Sequence, residues 1–195
     1  SPRFMSAMRT VASGTANRGN SILRTRFSRA TIDRTAPAVD SLRNVKSTMQ
    51  DYPLTVSAIL RHGTSVHAQR QVRTLQPDGT VRASTFHQVG LRTAQLANAL
   101  RDVGVTADTR VATFMWNNQE HLEAYVAVPS MGAVLHTLNI RLFPEQIEFV
   151  AYEAEDKVVI ADLSLTPVLA PVLRSMETVH TVIAVGDGDL VPLQA

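Results

Sequence analysis

Several short constellations in this chain could do chemistry, and each lacks a part that its reaction needs. His121 and Glu123 have the His-x-Glu spacing of zinc deaminases, in which an imidazole holds the metal and a carboxylate moves the proton. That site also needs a cysteine pair, and the chain has no cysteine. The same absence excludes disulfides, thiolate nucleophiles and cysteine-ligated zinc. "VGDGDLV", Val185 to Val191, begins a dinucleotide fingerprint with Gly186 and Gly188, but the third glycine is missing and no helical pattern follows. It reads as a loop, with Asp187 and Asp189 solvated rather than gripping a cation.

Other candidates fare no better. Neither His-Glu-x-x-His nor Gly-x-Ser-x-Gly occurs, and Ser130 in "PSMG" sits at an apolar helix end rather than on a nucleophile elbow. Glu153, Glu155 and Asp156 are expected to form a solvated helix terminus, not an acid/base pair. His62 and His67 are expected at the surface, and Met115 and Trp116 in the core. His136, Asn139 and Arg141 follow one another along the chain and cannot all converge on one point. They are read as a joint, whose polar groups satisfy backbone freed by a turn. No catalytic, cofactor-binding or metal-ligating residue is assigned.

The elements that must position these groups follow from periodicity. Leu54, Ile59 and Leu60 suit a short amphipathic helix ending at Gly63. Val66 to Leu75 and Thr80 to Ala83 flank Pro77-Asp78-Gly79, a turn sequence that predicts a hairpin. Thr85 and Gln88 have capping-box spacing, and the helix behind them runs to Gly104 with Phe86, Val89, Leu96, Leu100 and Val103 on one stripe. Strands are predicted at Arg110 to Trp116, Ala133 to Leu138, Lys157 to Ala161 and Val179 to Val185. Between them lie helices through His121 to Val126, Pro144 to Ala154 and Pro167 to Arg174. Pro144 takes the first helical position, where its missing N–H costs nothing. The alternation predicts an α/β fold: a mostly parallel open sheet with helices on both faces, plus a small β-hairpin. The last strand, within "HTVIAV", is expected to leave its edge open to pairing.

With 195 residues, 45% hydrophobic and 18% charged, the chain has the length and composition of one globular domain. Its net charge of +2 is unevenly spread. Residues 1–48 hold nine Arg or Lys against two acidic residues, whereas 49–195 hold ten against fifteen. The basic part is expected to be a disordered extension, with a mitochondrial targeting segment as the alternative to a cytoplasmic protein. A mildly acidic remainder, poor in aromatics, excludes a nucleic-acid stripe or stacking platform. The apolar stretch at Ala124 to Leu135 is broken by Pro129, Ser130 and Gly132 and falls short of the ~20 residues of a membrane span.

"RVATFMWNNQEHLEAYVAVPSMGAVLHTLNIRLFPEQIEFVAYEAEDKVVIAD", Arg110 to Asp162, closely resembles the amino-terminal domain of medium- and long-chain fatty-acid–CoA ligases of the adenylate-forming, AMP-binding superfamily. A looser likeness runs from Asp51 to about Ala195. The resemblance implies that the full-length enzyme activates a fatty acid with ATP and magnesium to an acyl-adenylate and transfers it to coenzyme A. It also leaves a homodimer open. The family's Ser/Thr/Gly-rich phosphate loop ending in Pro-Lys-Gly, its adenine and ribose motifs and its catalytic Lys do not occur here, so residues 49–195 are expected to be a partial domain. Alone, the chain is expected to be inactive and to bind none of these cofactors tightly. The alternative is a non-catalytic interaction module derived from the fold. Relatives commonly place Ser or Thr where Phe143 stands, so a hydroxyl cap worth about 1 kcal/mol is expected to be lost.

Overall fold

The computed structural model describes residues 9–12 and 52–194. Strand β1 is Arg9–Ala12, and together with the chain from Thr55 onward it belongs to one compact unit. The expectation of a disordered leader otherwise lies outside the described residues.

Helix α1, Val56–Val66, starts at Thr55, whose hydroxyl accepts the Ala58 N–H at 3.2 Å. It runs through Gly63 instead of stopping there. Gly63 serves packing: a Cβ at that position would stand 3.4 Å from the Phe86 ring. One turn of the neighbouring helix is closer still, since a Cβ on Gly90 would meet the Thr64 methyl at 2.5 Å. The close helix–helix approach thus bears on Gly90, while Gly63 lies inside the helix against the Phe86 ring.

The expected hairpin forms from β2, Gln71–Leu75, and β3, Val81–Thr85, in antiparallel register. Asp78 Oδ1 accepts the Thr80 N–H at 2.9 Å, and Gly79 takes φ 82° as the turn requires. Helix α2, Phe86–Asp102, opens on the reciprocal capping box: Thr85 Oγ1 accepts the Gln88 N–H, and Gln88 Oε1 accepts the Thr85 N–H. Val89, Leu96 and Leu100 of the predicted stripe are buried, joined by Thr93 and Ala97, while Phe86 and Val103 are half-buried at its ends.

Three βα rounds and a closing strand follow. They are β4 (Arg110–Phe114), α3 (Gln119–Ser130), β5 (Val134–Thr137), α4 (Pro144–Ala154), β6 (Val158–Asp162), α5 (Thr166–Leu173) and β7 (Thr181–Val185). A 3-10 turn, Leu163–Leu165, links β6 to α5, and a short helix α6, Val191–Gln194, follows the last loop where no helical pattern was foreseen. The sheet order is β1-β7-β6-β4-β5, with β7, β6, β4 and β5 parallel and β1 antiparallel on β7. The expected open edge of the last strand is thus corrected, because Arg9–Ala12 pairs along Thr181–Ala184.

Alternation along the strands sends side chains to two cores. Ala112, Phe114, Val159, Ala161, Val182 and Ala184 meet Ile147, Ala151, Leu169 and Val172 from α4 and α5. Val111, Val158, Ile160 and Ile183 meet Leu96, Leu100, Ala124 and Val128 from α2 and α3. A sheet apolar on both faces can be stable only when sandwiched in this way.

Candidate functional site

The connection from β4 goes outward to β5, while that from β6 goes the other way to β7. The two loops therefore part at the carboxyl ends of β4 and β6, the topological switch point where open α/β sheets form a crevice. A hydrogen-bonded chain crosses this point. The Trp116 indole N–H donates to Ser164 Oγ at 3.0 Å, and Ser164 Oγ–H donates to Asp162 Oδ1 at 2.6 Å. Asp162 Oδ1 also takes the Ser164 N–H, while Oδ2 takes the Asn118 amide at 3.2 Å. Asn118 Oδ1 in turn accepts the His121 N–H at 2.9 Å, capping α3.

His121 completes the circuit. Its Nδ1 lies 3.1 Å from the Trp116 carbonyl oxygen, which can only accept, so Nδ1 carries the proton and Nε2 accepts from the Thr113 hydroxyl at 2.9 Å. Burial pushes its pKa below the ordinary 6.5, against the opposing Trp116 hydrogen bond. The ring is a neutral structural pin. Trp116 is consequently fixed at both its indole and its carbonyl while remaining 49% exposed, which corrects the expectation of a core tryptophan. The strand stops at Phe114, Met115 packs inward as expected, and the loop turns Trp116 out.

Behind the loop, a second network steadies the start of α3. Arg82 on β3 donates two parallel hydrogen bonds to Glu120 at 2.6 and 2.5 Å, and Arg92 on α2 reaches Glu123 at 2.6 Å and Glu120 at 3.4 Å. Gln119 adds a 2.7 Å bond to Glu123. Burial alone would raise Glu120, but Arg82 and Arg92 outweigh it and hold the carboxyl below its usual range. Glu123 is more deeply enclosed, and there burial wins over Arg92 and Gln119 and holds the carboxyl above its usual range. Thus His121 and Glu123, one sequence candidate, separate into two networks and do not share a site.

The remaining candidates also disperse. Gly188 packs on the 3-10 turn, where a Cβ would stand 2.7 Å from Leu163 Cβ and 2.9 Å from its carbonyl carbon. Asp189 Oδ1 accepts the Val191 N–H at 2.9 Å, a local turn ahead of α6. Asn139 Oδ1 accepts the Arg141 N–H at 3.0 Å, a local turn as expected, whereas His136 turns away to Asp156 at 2.8 Å. Asp156 is fully buried, which corrects its assignment to a solvated terminus. His62 and His67 lie at the surface with their rings edge-on at 5.4 Å. Ser130 ends α3. Among the described residues no three His, Asp or Glu side chains gather to hold a metal ion, so no magnesium step is assigned to them.

Sequence reasoning missed Asp162, Ser164, Asn118 and Arg92. Two of these had local signals: Asn118 stands ahead of a helical stretch as caps do, and Asp162-x-Ser164 has the spacing of a side chain folding back on its own backbone.

The comparisons with known proteins bear on this frame. A family model for AMP-binding enzyme matches residues 64–194. The chain belongs to the AMP-binding enzyme family. It is 41% identical over 126 residues to a medium-chain-fatty-acid–CoA ligase of Ectopseudomonas oleovorans, covering 65% of this chain and 23% of that one. A long-chain-fatty-acid–CoA ligase of Thermus thermophilus is 39% identical over 134 residues, 69% of this chain and 25% of the relative. The chain therefore spans about a quarter of the length of these curated relatives. The solved fatty acyl CoA synthetase of Mycobacterium tuberculosis superposes with a TM-score of 0.55 at 26% identity, over 60% of this chain and 23% of that one. An anthranilate CoA ligase in complex with anthranoyl-AMP superposes at 0.63 with 23% identity, over 71% of this chain and 27% of that one, a likeness of fold alone. The chain thus resembles acyl-CoA ligases in both sequence and fold.

Proposed function

We propose that these residues are the amino-terminal framework of a fatty-acid–CoA ligase that uses ATP to make an acyl-adenylate and passes the acyl group to coenzyme A. The observation that carries this reading is the long match to the fatty-acid–CoA ligases, at 41% and 39% identity. The geometry fits a supporting role. The switch-point circuit ties β4 to β6 and holds Trp116 rigidly at the crevice, where a wall of an acyl site would stand.

The groups that would grip a triphosphate are a separate matter. No Gly-rich loop ending in Pro-Lys-Gly occurs in the sequence, and the Gly186-x-Gly188 loop is committed to packing on Leu163. On this reading these residues do not grip the nucleotide when the fatty-acid carboxylate attacks the ATP α-phosphorus and pyrophosphate leaves. The 195-residue chain is accordingly inactive when isolated. Incubation with ATP, magnesium, coenzyme A and a medium-chain fatty acid, read by mass spectrometry, is expected to yield no acyl-CoA above a protein-free control. Formation of acyl-CoA under these conditions defeats the reading. The interaction-module alternative drew on an open edge at β7, and β1 now lies along that edge.

A further inference from the structure

The chain leaves α4 through Glu155, whose φ of 54° is left-handed and disfavoured for a residue with a Cβ. That turn drives the next residue inward. Asp156 is fully buried ahead of β6, while Glu155 stays exposed. One Asp156 oxygen, Oδ2, lies 2.8 Å from His136 Nδ1 on β5, and the other, Oδ1, is buried with no hydrogen-bond partner. The path from β5 to this residue crosses β4, where Ala112 pairs with His136 on one side and Val159 on the other and presents only a methyl group. The imidazole is 28% exposed, so solvent protons can reach the pair.

We infer that His136 and Asp156 form a proton-operated catch on the edge strand β5. It is closed while the 2.8 Å pair holds one proton between the ring and the carboxyl, and it loosens when that proton leaves a bare buried carboxylate facing a neutral ring. The second state costs more because the buried carboxylate then faces a neutral ring and keeps only the weaker attraction of Arg110. Strand β5 is the element that answers. It has four residues, and among the described residues its only strand partner is β4. The catch reaches past that partner to the α4–β6 turn and so supplies a second hold.

The surrounding charges set the direction. Burial raises Asp156 above its ordinary 3.8, His136 opposes this, and Arg110 on β4 opposes it more weakly. Glu155 stands 3.9 Å from Arg110, and Lys157 follows Asp156 in the chain. A carboxyl raised in the folded state contributes stability that is complete below the unfolded value and lost as pH rises through the folded one. The catch therefore weakens from acid toward neutral pH.

Native-state amide exchange on the 195-residue chain tests this, with rates corrected for intrinsic pH dependence. Between pH 4 and pH 8, protection of the amides of residues 134–138 is expected to fall about tenfold relative to β6. In Asp156→Asn, a neutral mimic of the protonated group, it should stay high and flat. The midpoint of the wild-type loss should coincide with the titration of the Asp156 carboxyl followed by NMR. A flat wild-type profile, an unchanged slope in Asp156→Asn, or midpoints more than about one pH unit apart would each overturn the proposal; the wild-type comparison decides even if the variant does not fold.

Discussion

At the residue scale, the chain buries several ionisable groups, and their stability effects have opposite signs. His121 is neutral in the folded state with its pKa depressed below 6.5, so its contribution is complete above that value and is lost as pH falls through the folded one. Urea denaturation of wild type and His121→Gln should therefore give a stability difference that shrinks as pH falls from 7 to 5; a constant difference would mean that the ring does not titrate in this window. Arg92 and Glu123 offer a sharper test. Removing Arg92 leaves a buried carboxylate without its cation, so Arg92→Ala should cost about 3 kcal/mol, and Arg92→Ala with Glu123→Leu should recover much of it. Phe143 has no acceptor to cap α4, where only Gln146 Oε1 reaches back to the Phe143 N–H at 3.1 Å. Phe143→Ser should stabilise the chain by about 1 kcal/mol in the same measurement.

At the element scale, the pattern that identifies strands and helices was plain in the sequence because it repeats. The continuous apolar run of Val158 to Ala161 and the proline-led start of α4 are read without knowledge of partners. What stayed hidden depends on a single dihedral or a distant contact. Asp156 looked like part of an acidic surface because nothing in "EAEDK" announces that Glu155 turns left-handed. Gly63 looked like a cap because its packing partner, Phe86, lies in another element. Trp116 looked like core because its exposure follows from the bond to Ser164, forty-eight residues away in sequence. The glycine behind the switch point makes this element-level dependence measurable. Gly188→Ala would press a methyl into the Leu163 backbone and should cost about 1–3 kcal/mol, lowering the thermal midpoint; an unchanged midpoint would show that the two loops are not packed as described.

At the scale of the whole molecule, family and framework agree. The sheet and the two cores on its faces were legible in outline from strand and helix alternation. The circuit itself was not legible, because it joins residues of β4, α3 and β6 that only the topology brings together. Calorimetric titration of the 195-residue chain with ATP and magnesium tests the central claim most directly. The account predicts no saturable heat up to millimolar nucleotide, whereas a saturable isotherm with a micromolar Kd would contradict it.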